Sequence, residues 1–169
     1  MIQFPEPWLA CNVTRWHSGP SAPWLAHTQD RLHGHGGRMA VLALHVWGNE
    51  ASRELLAACI LHDLGEYRVA DVPAPAKADG TLRAALDRLE DMALYRMGLS
   101  YGLSADDDLR LKFLDRWDAY LWAQLHAPQI LQRADWLADL ARLKRLALDA
   151  GHDLNHPARP VAAIMEASR

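Results

Sequence analysis

The chain has 169 residues, half of them hydrophobic, so it is long enough to bury the core of one globular domain. Its formal net charge is −3 and it has no long run of Lys or Arg, which argues against a surface for nucleic acid polymers or for an anionic membrane. The two cysteines imply no disulfide framework, and no apolar run is long enough for a transmembrane helix. We therefore expect a soluble, cytoplasmic protein.

Residues 1–30 are rich in Pro, Trp and polar side chains, which predicts an irregular segment with one or two short helical turns. A first helix is predicted over residues 35–47, because apolar residues recur three and four apart. Gly48 is expected to end it. A second helix is predicted from about Glu50 or Ala51 through an apolar run to His62.

Residues 67–79 have prolines at alternate positions, which predicts an extended loop. A third helix is predicted over residues 81–98, and a fourth from the capping hydroxyl of Ser104 to about His126. A fifth helix follows over roughly residues 130–150, and the residues after Pro160 are expected to form a short terminal helix. The chain is therefore predicted to be an all-α, single-domain helical bundle over residues 1–169.

The strongest local motif is His62-Asp63-Leu64-Gly65-Glu66, which closes an apolar helix with an imidazole and two carboxylates. A neutral imidazole and a carboxylate are good ligands for a divalent metal, and a carboxylate one turn later can hold a water molecule beside it. The alternative is a helix end that simply carries polar residues on the surface. The pentapeptide alone leaves these two interpretations equally open.

Other segments extend this motif. An upstream His35, the pair His62-Asp63 and a distant Asp115 resemble the pattern of the HD superfamily of metal-dependent phosphohydrolases. Within that superfamily the chain is similar to the bacterial HD-domain 5'-deoxynucleotidases and to phage dATP triphosphohydrolases. The further matching segments are Arg15-Trp16, the string from His62 to Glu66, Asp71-x-Pro73-x-Pro75-x-Lys77, Lys112-x-x-Asp115 and Ala119-Tyr120-Leu121. Together they cover most of the chain between residues 15 and 121.

The resemblance implies an HD-type helical fold and a divalent metal cofactor, which could be Zn²⁺, Co²⁺, Mn²⁺ or Mg²⁺. The implied metal ligands are His35, His62, Asp63 and Asp115, and Glu66 would act with Asp63 in catalysis as the acid/base or water-orienting group. The implied substrate-binding residues are Arg15, Lys77 and Lys112 for phosphate oxygens, Asp71 for the 3'-hydroxyl and Trp16 for the base. The alternatives are solvated charge for the three cations, a loop turn for Asp71 and a core position for Trp16.

Two histidines precede the first predicted helix, and the apolar residues four and seven positions later favour His35 over His33 as the ligand. The related families commonly have Glu-His-Ser here, whereas this chain has Gly-His-Gly. The resemblance therefore implies that the carboxylate behind the ligand is missing and that the loop is more mobile. Asp118, one turn beyond Asp115, is predicted to make a helix-surface contact rather than a ligand bond.

We therefore expect a dNTP triphosphohydrolase that prefers dATP and releases deoxynucleoside and triphosphate. One alternative is a 5'-deoxynucleotidase acting on dNMPs, and another is a non-catalytic nucleotide-binding protein of the same fold, against which the intact Glu66 argues. The partner would be a small deoxynucleotide in a bacterial or phage-infected cytoplasm. Residues 1–30 would contribute to the nucleotide site, and analogy with relatives predicts a homo-oligomer.

Overall fold

The computed structural model describes residues 3–16, 23–73 and 76–154. Over these ranges the backbone forms no strand, and its isolated bridge joins Thr14 to Arg31. The predicted all-α class is therefore confirmed. The helices are α1 (Glu6–Ala10), α2 (Leu32–Trp47), α3 (Arg53–Leu61), α4 (Gly80–Arg96), α5 (Ala105–His126) and α6 (Ala134–Asp149), and 3-10 turns cover Leu25–His27, Gly48–Glu50, Leu64–Tyr67, Ala76–Ala78 and Pro128–Gln132.

Side-chain caps set the starts of three helices. Ser52 and Ser104 each accept a hydrogen bond from the backbone amide three residues later, and Asp79 accepts from the amides two and three residues later. Such caps satisfy amides that the first helical turn leaves without a partner. The start of α5 agrees with the prediction, whereas α3 begins two to three residues later than predicted because Ser52 is its cap.

The starts of α2 and α6 differ from the sequence prediction. α2 begins at Leu32 rather than at His35, although glycines in its first turns lower the intrinsic helix propensity. α6 begins at Ala134, because Pro128–Gln132 forms a 3-10 turn in place of the predicted first turn. The local pattern therefore places the start of α2 too late and the start of α6 too early.

The principal core lies between α2, α3, α5 and α6, with the fully buried Phe113 stacked on Trp117 at 5.1 Å between ring centroids. A second cluster packs around Leu25, Ala123 and Ile130, and a third joins α1 to the turn Leu64–Tyr67 and α4. These clusters hold α2, α3 and α5 against one another, and those helices carry or end at the predicted metal ligands.

The predicted loop over residues 67–79 is less extended than expected. Its first residue belongs to the turn Leu64–Tyr67, and it contains the turn Ala76–Ala78. Pro75 and the predicted terminal helix after Pro160 lie outside the described residues. Among the described residues, none of the helices combines the length and apolar character needed to cross a membrane.

Gly36 allows α2 and α3 to touch, since a Cβ atom there would lie 2.7 Å from the carbonyl oxygen of Cys59. We expect Gly36→Ala to lower the free energy of unfolding by about 1–3 kcal/mol, the usual cost of overpacking. Gly37→Ala is the matched control, because a Cβ atom at that position would have no neighbour within 4 Å and alanine favours a helix. Urea denaturation of both variants measures the difference, and equal destabilisation would contradict the close-contact explanation.

Candidate metal centre

Three helices bring the four predicted ligands together. His35 lies in the first turn of α2, His62 caps the C-terminus of α3 with Asp63 next to it, and Asp115 lies midway along α5. Ligand atoms of His35, His62 and Asp115 lie within 4.8 Å of one another. An oxygen of Asp63 lies 3.5 Å from Nε2 of His35, and its other oxygen lies 3.2 Å from Nε2 of His62.

Hydrogen bonds on the far side of each ring fix which imidazole nitrogen faces this cluster. Nδ1 of His35 donates to the Asp118 carboxylate at 2.7 Å, and Nδ1 of His62 donates to the Cys59 carbonyl at 3.2 Å. A carboxylate and a carbonyl can only accept, so both Nδ1 atoms carry a hydrogen. In the neutral ring this leaves the lone pair on Nε2, the arrangement typical of metal-binding histidines.

The two Nε2 atoms are buried and have no hydrogen-bond partner among the described residues. Nε2 of His35 is 3.3 Å from an oxygen of Asp115. Ligand atoms that share an ion at a bond length of about 2.1 Å are separated by roughly 3–3.5 Å. Since buried polar atoms are rarely left without a partner, the donor set and its spacing fit a divalent cation.

Glu66 lies beside this cluster in the 3-10 turn Leu64–Tyr67 and is only 3% exposed. Its Oε1 accepts a hydrogen bond from Lys77 at 3.0 Å, while Oε2 has no partner among the described residues. Gly65 permits this position, because a Cβ atom there would lie 2.6 Å from backbone atoms of Glu90 on α4. Burial, with the charge of Asp63, raises the pKa of Glu66 to about 8 although Lys77 opposes the shift.

Arg15 connects the N-terminal segment to the cluster. Its guanidinium lies 3.3 Å from Asp30, 3.7 Å from Asp118 and 3.8 Å from Asp115. Arg38, one turn beyond His35 on α2, binds the carboxylates of Asp30 and Asp118. Thus the cation predicted to bind phosphate is held here among acidic side chains.

The charges around the cluster do not balance without a further cation or protons. At least five carboxyl groups face three cations, so acidic groups are in excess when both histidines are neutral. The five carboxyl groups with described contacts belong to Asp30, Asp63, Glu66, Asp115 and Asp118, and the cations are Arg15, Arg38 and Lys77. A divalent ion would reduce this excess of negative charge.

In the metal-free chain, protons compensate. Burial and Arg15 disfavour the charged form of His35, but the carboxylates of Asp115, Asp118 and Asp63 outweigh them and raise its pKa to about 9. Glu66 is also protonated below about pH 8, so protons on these two groups reduce the excess of negative charge at neutral pH.

These shifts predict how stability depends on pH. A group whose pKa is higher in the folded than in the unfolded state stabilises the fold when it is protonated. This stabilisation is complete below the unfolded pKa, which is about 6.5 for His35 and about 4.5 for Glu66. It is lost as the pH rises through the folded pKa, which is about 9 for His35 and about 8 for Glu66. We therefore expect the free energy of unfolding of the metal-free protein to fall between about pH 5 and pH 9. Urea denaturation with a chelator present measures it, and Glu66→Gln should flatten the lower part of the decline. A free energy that rises over this range would contradict the assignment.

Trp16 and Asp71, predicted to contact base and sugar, are bound to each other. The backbone amide of Trp16 donates to Asp71 at 2.6 Å, and its indole Nε1 donates to Asp30 at 3.2 Å. The backbone of Trp16 has a left-handed φ of 67°, which residues other than glycine rarely adopt. These hydrogen bonds therefore hold a strained backbone conformation. The indole also stacks on Trp136 at 6.4 Å, in the second cluster.

Lys112 lies on the exposed face of α5, with 59% of its side chain accessible, and pairs with Asp108 one turn earlier. Lys112, a predicted phosphate ligand, therefore has no described contact with the cluster. His33, the rejected alternative ligand, is exposed and bonds the Cys11 carbonyl. His17 and Ser18, the two residues after Trp16 where base selectivity could be set, lie outside the described residues.

The predicted surface contact of Asp118 is wrong. Its carboxylate is 2% exposed and bonds both His35 and Arg38. The Gly-His-Gly segment, expected to be a mobile loop, is part of α2. The sequence did contain a signal for the ion pair of Arg38 with Asp118. Arg38 and Asp118 each follow a predicted ligand by three positions on a helix, so each lies on the same helix face as that ligand.

Comparisons with protein-family models, with curated proteins and with solved structures find no match to this chain. Its function is therefore inferred from the motif resemblance and from the geometry of this cluster.

Proposed function

We propose that this protein is a metal-dependent phosphohydrolase of deoxynucleotides, with a divalent ion held by His35, His62, Asp63 and Asp115. The observation that carries the proposal is the pair of buried Nε2 atoms that face two carboxylates and have no hydrogen-bond partner in the described part of the chain. Neutral imidazole and carboxylate ligands suit Zn²⁺, Co²⁺ or Mn²⁺, with Mg²⁺ less favoured by the nitrogen donors. A divalent ion at this position would act as a Lewis acid toward a phosphate ester.

Glu66 is the residue that would orient and deprotonate the attacking water. Lys77 donates to its Oε1, and Oε2 is an acceptor without a partner among the described residues. A carboxylate in this position can accept a proton from the water and then donate it to the leaving oxygen. The same side chain thus serves as base and acid in one cycle.

Of the cations predicted to bind phosphate, Arg15 and Lys77 lie at the cluster, and both are paired with carboxylates. The charge of a divalent ion would offset the acids that hold them, so that their N–H groups can donate to phosphate oxygens. These two cations could serve a monophosphate or a triphosphate. Triphosphate release and the preference for dATP are therefore both proposed from the motif resemblance alone.

The test is turnover of dNTPs, dNMPs and the corresponding ribonucleotides by purified protein, with Co²⁺, Mn²⁺, Zn²⁺ or Mg²⁺ added after chelation. Release of intact triphosphate from dATP is the expected result. Release of inorganic phosphate from dNMPs alone would instead establish a 5'-deoxynucleotidase. No turnover with any of these metals, together with nucleotide binding, would establish a non-catalytic nucleotide-binding protein and overturn the proposal.

A further inference from the structure

We propose that Asp118 is a positioning residue that sets the orientation and tautomer of His35, so that Nε2 faces the metal centre. This inference rests on the proposed metal centre and adds a residue to it that the motif resemblance does not supply. A carboxylate behind a metal-binding histidine fixes its ring and makes it a better ligand.

The first support is the placement of His35 between two acids of a single helix. Nδ1 lies 2.7 Å from Asp118, and Nε2 lies 3.3 Å from Asp115, one turn earlier on α5. The imidazole is fully buried, so it has no room to bind solvent in place of either carboxylate. α5 therefore provides one group to bind the ion and another to aim the histidine at it.

The second support is that Asp118 is itself held in place. Nε and Nη2 of Arg38 donate to its two oxygens at 2.7 and 2.9 Å. The same guanidinium donates to both oxygens of Asp30, at 2.9 and 3.1 Å, and lies 4.1 Å from the centre of the Trp122 ring. A planar, forked cation fixed at both ends leaves the Asp118 carboxylate one orientation.

A purely structural role for Asp118 would be an ion pair between α5 and α2 that does not affect the metal. Asp107 is the matched control for that role. It is also a buried acid on α5, it accepts a hydrogen bond from Ser52 at 2.7 Å, and it pairs with Arg110 at 3.2 Å. None of these contacts involves a predicted ligand.

The experiment is titration of the metal-free full chain with Co²⁺. Calorimetry measures the affinity, and visible absorption reports the coordination of the bound ion. We expect Asp118→Asn to weaken Co²⁺ binding roughly 10- to 100-fold, as is typical when such a partner is lost, and to change the absorption spectrum. Asp107→Asn should lower the melting temperature and leave Co²⁺ affinity within about twofold of the unmodified chain, since additivity holds for independent sites.

Arg38→Lys is the second variant, in case Asp118→Asn does not fold. Lysine cannot bind both carboxylates with a rigid fork, so Co²⁺ affinity should fall by a smaller factor. If Asp118→Asn folds and its Co²⁺ affinity is unchanged, the positioning role is overturned and the metal centre is not. If only Arg38→Lys folds, unchanged Co²⁺ affinity in that variant has the same meaning. Equal losses in Asp118→Asn and Asp107→Asn would also overturn it. Failure of the unmodified chain to bind Co²⁺ would overturn the metal centre itself.

Discussion

Replacing Asp63 by alanine is expected to abolish metal binding and turnover and to leave a folded, helical protein. Asp63 lies close to both imidazoles, 3.5 Å from Nε2 of His35 and 3.2 Å from Nε2 of His62. It follows the last turn of α3, and 24% of its side chain is exposed, so its removal creates no cavity in the core. It also removes one negative charge from a cluster with an excess of acids, which favours the metal-free fold.

Calorimetric titration with Co²⁺ and Mn²⁺, with far-ultraviolet circular dichroism as the folding check, measures this effect. Asp139→Ala is a suitable control, because Asp139 is also a partly exposed acid and pairs with Arg116 on the face between α5 and α6. Its loss should leave both metal affinity and turnover within about twofold, since a surface ion pair contributes little. Retained metal binding in Asp63→Ala would remove Asp63 from the ligand set.

The helices were predictable from the sequence where the pattern is local. Apolar periodicity and the hydroxyl cap at Ser104 place α5 correctly, because these signals lie within the helix itself. The start of α2 was not predictable, because glycine disfavours a helix locally. Gly36 lies where α2 meets α3, at Cys59, some 23 residues further along the chain, and no local pattern reports such a contact.

The candidate site was likewise predictable from the sequence only in part. The motif resemblance identified the four side chains that the structure brings together, because ligands of a metal must be of particular types at particular spacings. The residues behind them were missed. His35 and Asp118 are separated by 83 positions, so their hydrogen bond depends on how α2 and α5 pack, and an acid on a helix is surface charge by default.

The predicted phosphate ligands divide in an informative way. Arg15 and Lys77 lie at the cluster but are engaged by Asp30 and Glu66, whereas Lys112 lies on the surface beside Asp108. Composition cannot separate these cases, since all three are cations in matching motifs. Packing can, because only the first two are shielded enough for their charges to act strongly on the cluster.

Replacing Glu66 by glutamine is expected to leave the metal bound and to lower kcat by about 10²- to 10⁴-fold, the usual contribution of a positioned acid or base. The variant is informative because glutamine matches the size and neutral charge of protonated glutamic acid. Burial raises the pKa of Glu66 to about 8, so the metal-free fold at neutral pH already holds the neutral form and should accept glutamine. Loss of rate would then come from the missing base rather than from a damaged fold.

Glu90→Gln provides the control for Glu66→Gln. Glu90 lies on α4 close to Lys77 and is half-buried, and burial raises its pKa too although Lys77 opposes the shift. It has no described hydrogen bond to a predicted ligand, so its loss should change kcat by less than about fivefold, far below the effect of a lost base. Steady-state kinetics of both variants, with metal content measured in parallel, gives the comparison. A Glu66→Gln enzyme with full kcat would show that the attacking water is activated without this carboxylate, and a metal-free Glu66→Gln would make Glu66 a ligand instead of a base.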